Sequence, residues 1–255
     1  MEDLIPFLTE IAKGAGDITL KYFQSDLHVD RKADESPVTI ADREAEEYLR
    51  REILRRFPDD EILGEEFGGN TDAGKRRRWI LDPLDGTRSF VRGVPLYGVL
   101  IGVESEGEII AGAVNIPALG DLVVAQRGCG CWWNGKPAHV STTDRLEQSL
   151  LLTTDVANNY RYGKGKAWER LSAQAQMVRT WGDCYGHVLV ATGRADVMVD
   201  PIVEIWDMAA VKIIVEEAGG RFTDYSGKAT IYSRCAISTN GLLHEQVLQL
   251  VQPLE

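Results

Sequence analysis

Apolar side chains recur at three- and four-residue spacing from residue 4 to residue 23, with Leu4, Leu8, Ile11, Ala15, Ile18 and Tyr22 on one stripe. That spacing predicts an amphipathic helix. Gly14 and Gly16 lower its propensity, so close packing against a neighbour is expected there. A polar stretch over 30–36 ends at Pro37. Residues 39–57 then restore the helical period through Ala41, Ala45, Tyr48, Leu49 and Ile53, until Pro58-Asp59-Asp60 stops it. Strand-length apolar runs follow at 61–64, 79–82, 97–104, 109–116 and 122–125, several divided by glycine-bearing turns such as Ser105-Glu106-Gly107. Trp132-Trp133-Asn134-Gly135-Lys136 reads as the tip of a hairpin.

Beyond residue 149 the pattern alternates. It predicts a strand at 150–153, a helix at 167–178, a short strand at 195–199 and an apolar helix at 206–218 closed by Gly219-Gly220. A strand at 236–238 and a helix near 242–251 complete it. Helices, then a strand-rich middle, then a βα half imply stacked layers of helices and sheets, of α+β or α/β class. No repeat or linker divides the 255 residues, so we expect one compact unit with an N-terminal α+β half, 1–148, and a C-terminal α/β half, 149–255.

With 44% hydrophobic residues the chain can bury a core without disulfides or a structural metal. Its net charge of -11 argues against non-specific attraction to nucleic acid or an anionic membrane. The same balance suits a protein that holds cations, although solubility alone would account for it. No segment has the length of a membrane-spanning helix, and the charged start Met1-Glu2-Asp3 does not open a secretory signal. Cys129, Cys131, Cys184 and Cys235 lack zinc-like spacing and read as free thiols of a cytoplasmic protein.

The densest chemical signal is Trp79-Ile80-Leu81-Asp82-Pro83-Leu84-Asp85-Gly86-Thr87. An apolar strand delivers Asp82 to its end, and Pro83 is expected to stop the ladder there. Asp82 and Asp85 can converge across a tight turn, where a divalent cation would offset their repulsion. Gly86-Thr87 then offers backbone N–H groups at an expected helix start, which favours an anion such as phosphate. A surface turn with an Asx cap uses the same residues. Gly64-Glu65-Glu66 again puts acid at a strand end, or is a charged loop. Asp207 falls in the first turn of the 206–218 helix, as a ligand or as a cap.

Taken together and in order, these segments resemble the inositol monophosphatase superfamily of lithium-sensitive, Mg2+-dependent phosphatases. The resemblance runs through Pro37-Val38-Thr39 with Ala41-Asp42, Gly64-Glu65-Glu66, residues 79–87 continuing as Arg88-Ser89-Phe90, and Trp206-Asp207 onward to Ala218-Gly219-Gly220. It implies a layered αβαβα sandwich, commonly homodimeric, with two or three Mg2+ per site. Glu65, Asp82, Asp85 and Asp207 would be side-chain ligands and the Leu84 carbonyl a further one. Thr87, linked to Asp42 and Glu65, would orient the attacking water, and the Gly86 and Thr87 amides would hold phosphate oxygens. The reaction implied is in-line attack by metal-activated water on a small phosphate monoester, without a covalent intermediate.

Within that superfamily the chain is similar to the branch acting on histidinol phosphate in histidine biosynthesis. The residues that carry this are Arg179 to Gly186, Ala191 to Asp196 and Met198-Val199-Asp200-Pro201. Asp183 and Asp200 would suit a substrate bearing an ammonium and an imidazole, with Asp85, Arg88 and Arg194 also in reach. Asp183 alternatively caps a helix starting near Tyr185, and Arg88 alternatively is a solvated helix residue. An inositol phosphate or another small phosphate ester is the nearest alternative substrate.

Other chemistries fit less well. His28, His139, His187 and His244 form no ligand pattern, and His187 reads as buried along a helix. Gly163-Lys164-Gly165-Lys166 lacks the features of an NTPase phosphate loop, and no Gly-x-Ser-x-Gly elbow is present. The run Lys75-Arg76-Arg77-Arg78 hints at RNA but reads as a solvated loop. A metal-binding regulator of RNA or transcription is the rival from another class, weakened by the full set of metal-ligand residue types.

Overall fold

The computed structural model describes residues 2–26, 28–31, 37–69 and 77–252. Helix α1 (Ile5–Tyr22) and helix α2 (Ile40–Arg56) lie against each other. The two-residue strands β1 (Asp30–Arg31) and β2 (Pro37–Val38) pair between them in sequence. At the two glycines the expected close packing is present: a Cβ on Gly14 would stand 2.1 Å from the Tyr48 hydroxyl, and one on Gly16 would stand 2.3 Å from Asn115 Nδ2.

Seven strands then form one sheet in simple order: β3 (Glu61–Gly64), β4 (Arg78–Asp85), β5 (Gly98–Ser105), β6 (Glu108–Ile116), β7 (Asp121–Gln126), β8 (Gly130–Trp133) and β9 (Lys136–Ala138). Within this sheet β3 and β4 pair in parallel and the other neighbours pair antiparallel. Asn134 and Gly135, both at positive φ, make the predicted hairpin tip between β8 and β9. Between β4 and β5 sits the short helix α3 (Thr87–Phe90).

The C-terminal half contains β10 (Leu150–Leu152), α4 (Val156–Arg161), α5 (Gly165–Gln174), β11 (Met177–Arg179), α6 (Asp183–Ala191), β12 (Val197–Asp200), α7 (Ile205–Glu217), β13 (Arg221–Thr223), β14 (Ala236–Thr239) and α8 (His244–Val251). Its five strands lie in the order β11-β10-β12-β14-β13.

Strand alternation builds the layers. Trp79, Leu81, Val99 and Ile101 pack on α1 and α2, whereas Ile80 and Leu100 point the other way, against α6 and α7. On the second sheet Met198 meets α6, while Val197 and Val199 face α5 and α8. The result is helix, sheet, helix, sheet, helix: the layered αβαβα sandwich expected. Helix α7 docks directly on the first sheet, where a Cβ on Gly102 would stand 2.5 Å from the Ala209 Cβ. That close approach carries the start of α7 to the end of β4.

Four local expectations are corrected. The helix expected over 167–178 ends at Gln174, and the Met177–Arg179 segment pairs with β10 as an edge strand instead. The helix expected near Tyr185 starts at Asp183. Strand β4 continues past Pro83, because a bulge between Asp82 and Asp85 absorbs the missing N–H and Asp85 pairs again with Gly98. The basic run is no solvated loop where it is described. Arg77 binds Asp60 and Glu2, and Arg78 is fully buried with Nη2 2.6 Å from Glu104. Lys75 and Arg76 lie outside the described residues, as do positions 32–36 of the polar stretch.

Candidate active site

The bulge in β4 is what turns two aspartates toward one point. Asp82 closes the regular ladder and is 1% exposed, its Oδ1 accepting the Leu84 N–H at 3.0 Å. Asp85 follows after the irregularity. From the other side α7 brings Asp207, whose Oδ2 accepts the N–H of Glu204 at 2.8 Å. So Asp207 caps its helix and still offers its second oxygen. One oxygen each from Asp82, Asp85 and Asp207 lies within 4.8 Å of the others.

Three carboxylates so placed cannot all ionise cheaply. Burial, and then the charges of Glu65, Asp85 and the other neighbours, hold Asp82 and Asp207 well above the ordinary carboxylate range. Asp85 is raised too, by burial, with relief from the Cys184 N–H that its Oδ2 accepts at 2.6 Å. Glu65, on the turn after β3, acts electrostatically on all three. All the donors are oxygens, the set a hard divalent cation prefers. The site therefore fits Mg2+ by charge and by donor type.

The turn carrying Glu65 is braced from α2. Glu46, fully buried, accepts the N–H groups of Glu66 at 2.8 Å and Phe67 at 3.3 Å, and pairs with Arg50 at 2.7 Å. No motif announced Glu46. Its only sequence signal was an acid on the apolar face of an amphipathic helix.

Beside this cluster, Asp42 stands at the third position of α2. Its Oδ2 accepts both the N–H and O–H of Thr39, at 2.8 and 2.7 Å, and the Thr87 hydroxyl lies 3.3 Å from its Oδ1. Burial raises Asp42 to about 6, against the pull of Thr39. Thr87 also donates toward the Leu84 carbonyl at 3.0 Å. Gly86, at φ 79, heads α3, and a Cβ there would sit 2.9 Å from Leu96 O and 3.2 Å from an Asp183 oxygen. Asp183 thus overhangs the Gly86-Thr87 turn.

Asp183 and Asp200 form a wall of the same cleft, a cavity of 60 Å3. Asp200 is buried: its Oδ1 accepts the Thr154 N–H at 3.0 Å, and its Oδ2 lies 3.3 Å from His187 Nε2. His187 is itself buried on α6, with Nδ1 2.7 Å from the Ser238 hydroxyl. Asp183 is a helix residue at φ 52 rather than a cap. Burial first, then Asp85 and Asp200, raise its carboxyl, and the exposed Arg88 opposes them. Thr154, Asp155 and Asn158 also line the cleft. Sequence patterning missed them, since each belongs to a strand end or first helical turn that carries no periodic signal.

Arg194 is placed elsewhere. Its guanidinium lies 4.2 Å from the Trp133 ring centroid and its Nη1 3.1 Å from Asp121, so stacking and an ion pair occupy it. Larger hollows of 620 and 720 Å3 exist, along α1 and beside α5, but neither contains the carboxylate trio.

The model of the inositol monophosphatase family matches residues 1–255. A histidinol-phosphatase of Chlorobaculum parvum is 49% identical over 223 residues, 87% of this chain and 86% of that protein. A histidinol-phosphatase of Mycobacterium tuberculosis is 39% identical, covering 93% and 94%. Among solved structures, a Thermotoga maritima IMPase superposes with a TM-score of 0.88 at 33% identity, over 98% of this chain and 97% of that one.

Proposed function

This chain belongs to the inositol monophosphatase family and is a phosphoric monoester hydrolase; we propose that it hydrolyses L-histidinol phosphate, with two or three Mg2+ held at the carboxylate trio. The observation that carries the metal reading is the convergence of Asp82, Asp85 and Asp207, a concentration of negative charge that a cation offsets. Glu65 and the Leu84 carbonyl would complete the ligand set. When bound, Mg2+ supplies positive charge that favours hydroxide over water and offsets charge on the phosphoryl and leaving oxygens.

The protein's own groups then have defined tasks. The Thr87 hydroxyl gives its hydrogen to Asp42 or to the Leu84 carbonyl, which leaves its lone pairs to accept a hydrogen bond from the attacking water. Asp42, fixed by Thr39, keeps that hydroxyl turned. The amides of Gly86 and Thr87 would hold phosphate oxygens at the head of α3. Water is oriented and attacks in line, and the leaving alkoxide departs toward the wall of the cleft.

That wall supports the substrate. Asp183 and Asp200 are acids beside the leaving-group side of Asp85, where a cationic alcohol would gain charge-assisted hydrogen bonds of about 1.5–3 kcal/mol each. An inositol ring offers only hydroxyls. The two relatives named histidinol-phosphatase, at 49% and 39% identity, add to this reading. It assigns the chain to histidine biosynthesis. Inhibition by Li+ and a homodimer are further parts of the proposal.

The deciding experiment is a phosphate-release screen across L-histidinol phosphate, myo-inositol 1-phosphate, 3′-phosphoadenosine nucleotides and fructose bisphosphate, with Mg2+ and with EDTA. The proposal expects the highest kcat/KM for histidinol phosphate and no turnover in EDTA. A preference for inositol phosphate would remove the substrate assignment.

A further inference from the structure

Thr154 stands two residues beyond the end of β10, half-buried at the mouth of the cleft. Its amide donates to Asp200 Oδ1 at 3.0 Å, and its hydroxyl oxygen accepts the Asp183 N–H at 2.8 Å. The two carboxylates belong to different elements, one opening α6 and the other ending β12, yet one residue is bonded to both. Contact extends to the backbone: a Cβ on Gly182 would stand 2.3 Å from Thr154 Cα.

Asp183 needs such a restraint. At φ 52 it occupies the left-handed region that residues with a Cβ seldom adopt. On one side the Thr154 hydroxyl holds its N–H, and on the other the next amide, that of Cys184, is held by Asp85 Oδ2 at 2.6 Å. The 182–184 segment is therefore pinned between the cleft wall and the floor of the site. Loss of the Thr154 anchor frees the segment to relax toward ordinary backbone angles, swinging the Asp183 carboxylate away from Gly86.

We propose that Thr154 is a positioning residue for substrate selectivity, holding Asp183 and Asp200 in one fixed arrangement for a cationic leaving group. It acts through the two carboxylates and touches no reacting atom. The inference rests on the substrate reading above. A hydroxyl that merely closed a turn would affect every substrate alike, whereas one that aims Asp183 affects only substrates that use Asp183.

The test compares Thr154→Val, which removes the acceptor and keeps the amide to Asp200, with Thr154→Ser, which keeps the hydroxyl. Thr154→Ala supplies the same reading should the valine variant not fold. kcat/KM is measured for L-histidinol phosphate and for 4-nitrophenyl phosphate, together with the Mg2+ concentration giving half-maximal rate. The proposal expects Thr154→Val to lower the ratio of the two kcat/KM values about five- to tenfold, mainly through the KM for histidinol phosphate. The Mg2+ requirement should stay in place, and Thr154→Ser should recover the wild-type ratio within about twofold. Equal losses on both substrates, a shifted Mg2+ requirement, an unchanged ratio, or a serine variant no better than valine would each overturn it. The wild-type preference separates the two readings. If the unmodified enzyme favours inositol phosphate, the substrate assignment fails and takes this inference with it. If it favours histidinol phosphate and Thr154→Val leaves the ratio unmoved, this inference alone fails.

Discussion

Asp82, Asp85 and Asp207 face one another at the floor of the cleft, and the charges that most raise Asp82 are other carboxylates. Asp183 and Asp200, on the wall of the same cleft, are treated differently. Asp200 has an amide on one oxygen and a histidine beside the other, and Asp183 feels Arg88. The floor gathers carboxylates whose mutual repulsion either a proton or an added cation relieves. On the wall, by contrast, each acid has a neighbour other than a carboxylate. On the proposed reading one group binds metal and the other chooses among alcohols, so the two should fail in different ways when altered.

The largest break should come at the floor. Chelating the metal with excess EDTA should abolish phosphate release on every substrate. Asp82→Asn and Asp207→Asn should each lower kcat by about a hundredfold or more, the scale of removing charge stabilisation from a transition state. Each variant should remain folded by circular dichroism, since the substitution relieves like-charge repulsion in a buried cluster. Steady-state rates on histidinol phosphate and on an aryl phosphate should fall together. A loss confined to one substrate would place these residues on the wall instead.

The wall should respond selectively. Asp183→Asn should cut kcat/KM for histidinol phosphate about tenfold, since 1.4 kcal/mol is one decade, and leave 4-nitrophenyl phosphate nearly unchanged. Equal losses would mean that Asp183 serves the floor through its neighbour Cys184, whose amide is bound to Asp85.

A smaller effect concerns lithium. A monovalent ion in a divalent position gives weaker stabilisation of the leaving oxygen, so rates in millimolar LiCl should fall below those in NaCl of equal ionic strength. Superimposed curves would remove that expectation.

The floor was more legible in the sequence than the wall, for a physical reason. Asp82, Asp85 and the Gly86-Thr87 turn lie within one short segment, where an apolar strand, a proline and a glycine constrain the backbone locally. The layer order was legible as well, because α1, α2 and α7 have long stripes or apolar runs and the sheet strands have strand-length apolar runs. Thr154 and Glu46 were not, and of His187 only the burial along a helix was legible, not its partner. Their roles come from partners on distant elements: Asp183 for Thr154, Asp200 for His187 and the 66–67 amides for Glu46. The edge strand Met177–Arg179 was hidden likewise, since three residues carry no period and its pairing with β10 decides it. Arg194 shows the converse. It stood near the substrate segment in sequence, but Trp133 and Asp121 hold it elsewhere.

The last and smallest difference lies in how stability changes with pH. Asp42 is raised from 3.8 to about 6 by burial, and the floor trio is raised by burial and mutual repulsion. A carboxyl with a higher pKa in the folded state keeps its proton longer there than in the unfolded chain. The folded state then binds more protons, and stability falls as pH rises from 3.8 through the folded value. Asp224 is lowered, by its bonds to Ser226 and Ser233 against the cost of burial, so its contribution is lost only as pH drops below 3.8, outside that window. His244, lowered by burial from 6.5 to about 4, gains stability as pH rises through the window, but it is one group against four raised carboxyls. Metal-free protein should therefore be less resistant to urea at pH 6 than at pH 4.5. Saturating Mg2+ should remove the part due to the floor, because the cation binds the ionised trio in the folded state alone. It should not remove the part due to Asp42, whose oxygens are taken by Thr39 and Thr87. Asp42→Asn should shift the slope between pH 4 and 6 upward by the same amount with and without Mg2+, leaving in saturating Mg2+ the gain of stability with pH due to His244. If Asp42→Asn changed the slope of metal-free protein but not that of protein in saturating Mg2+, Asp42 would belong with the metal ligands rather than with the Thr87 hydroxyl.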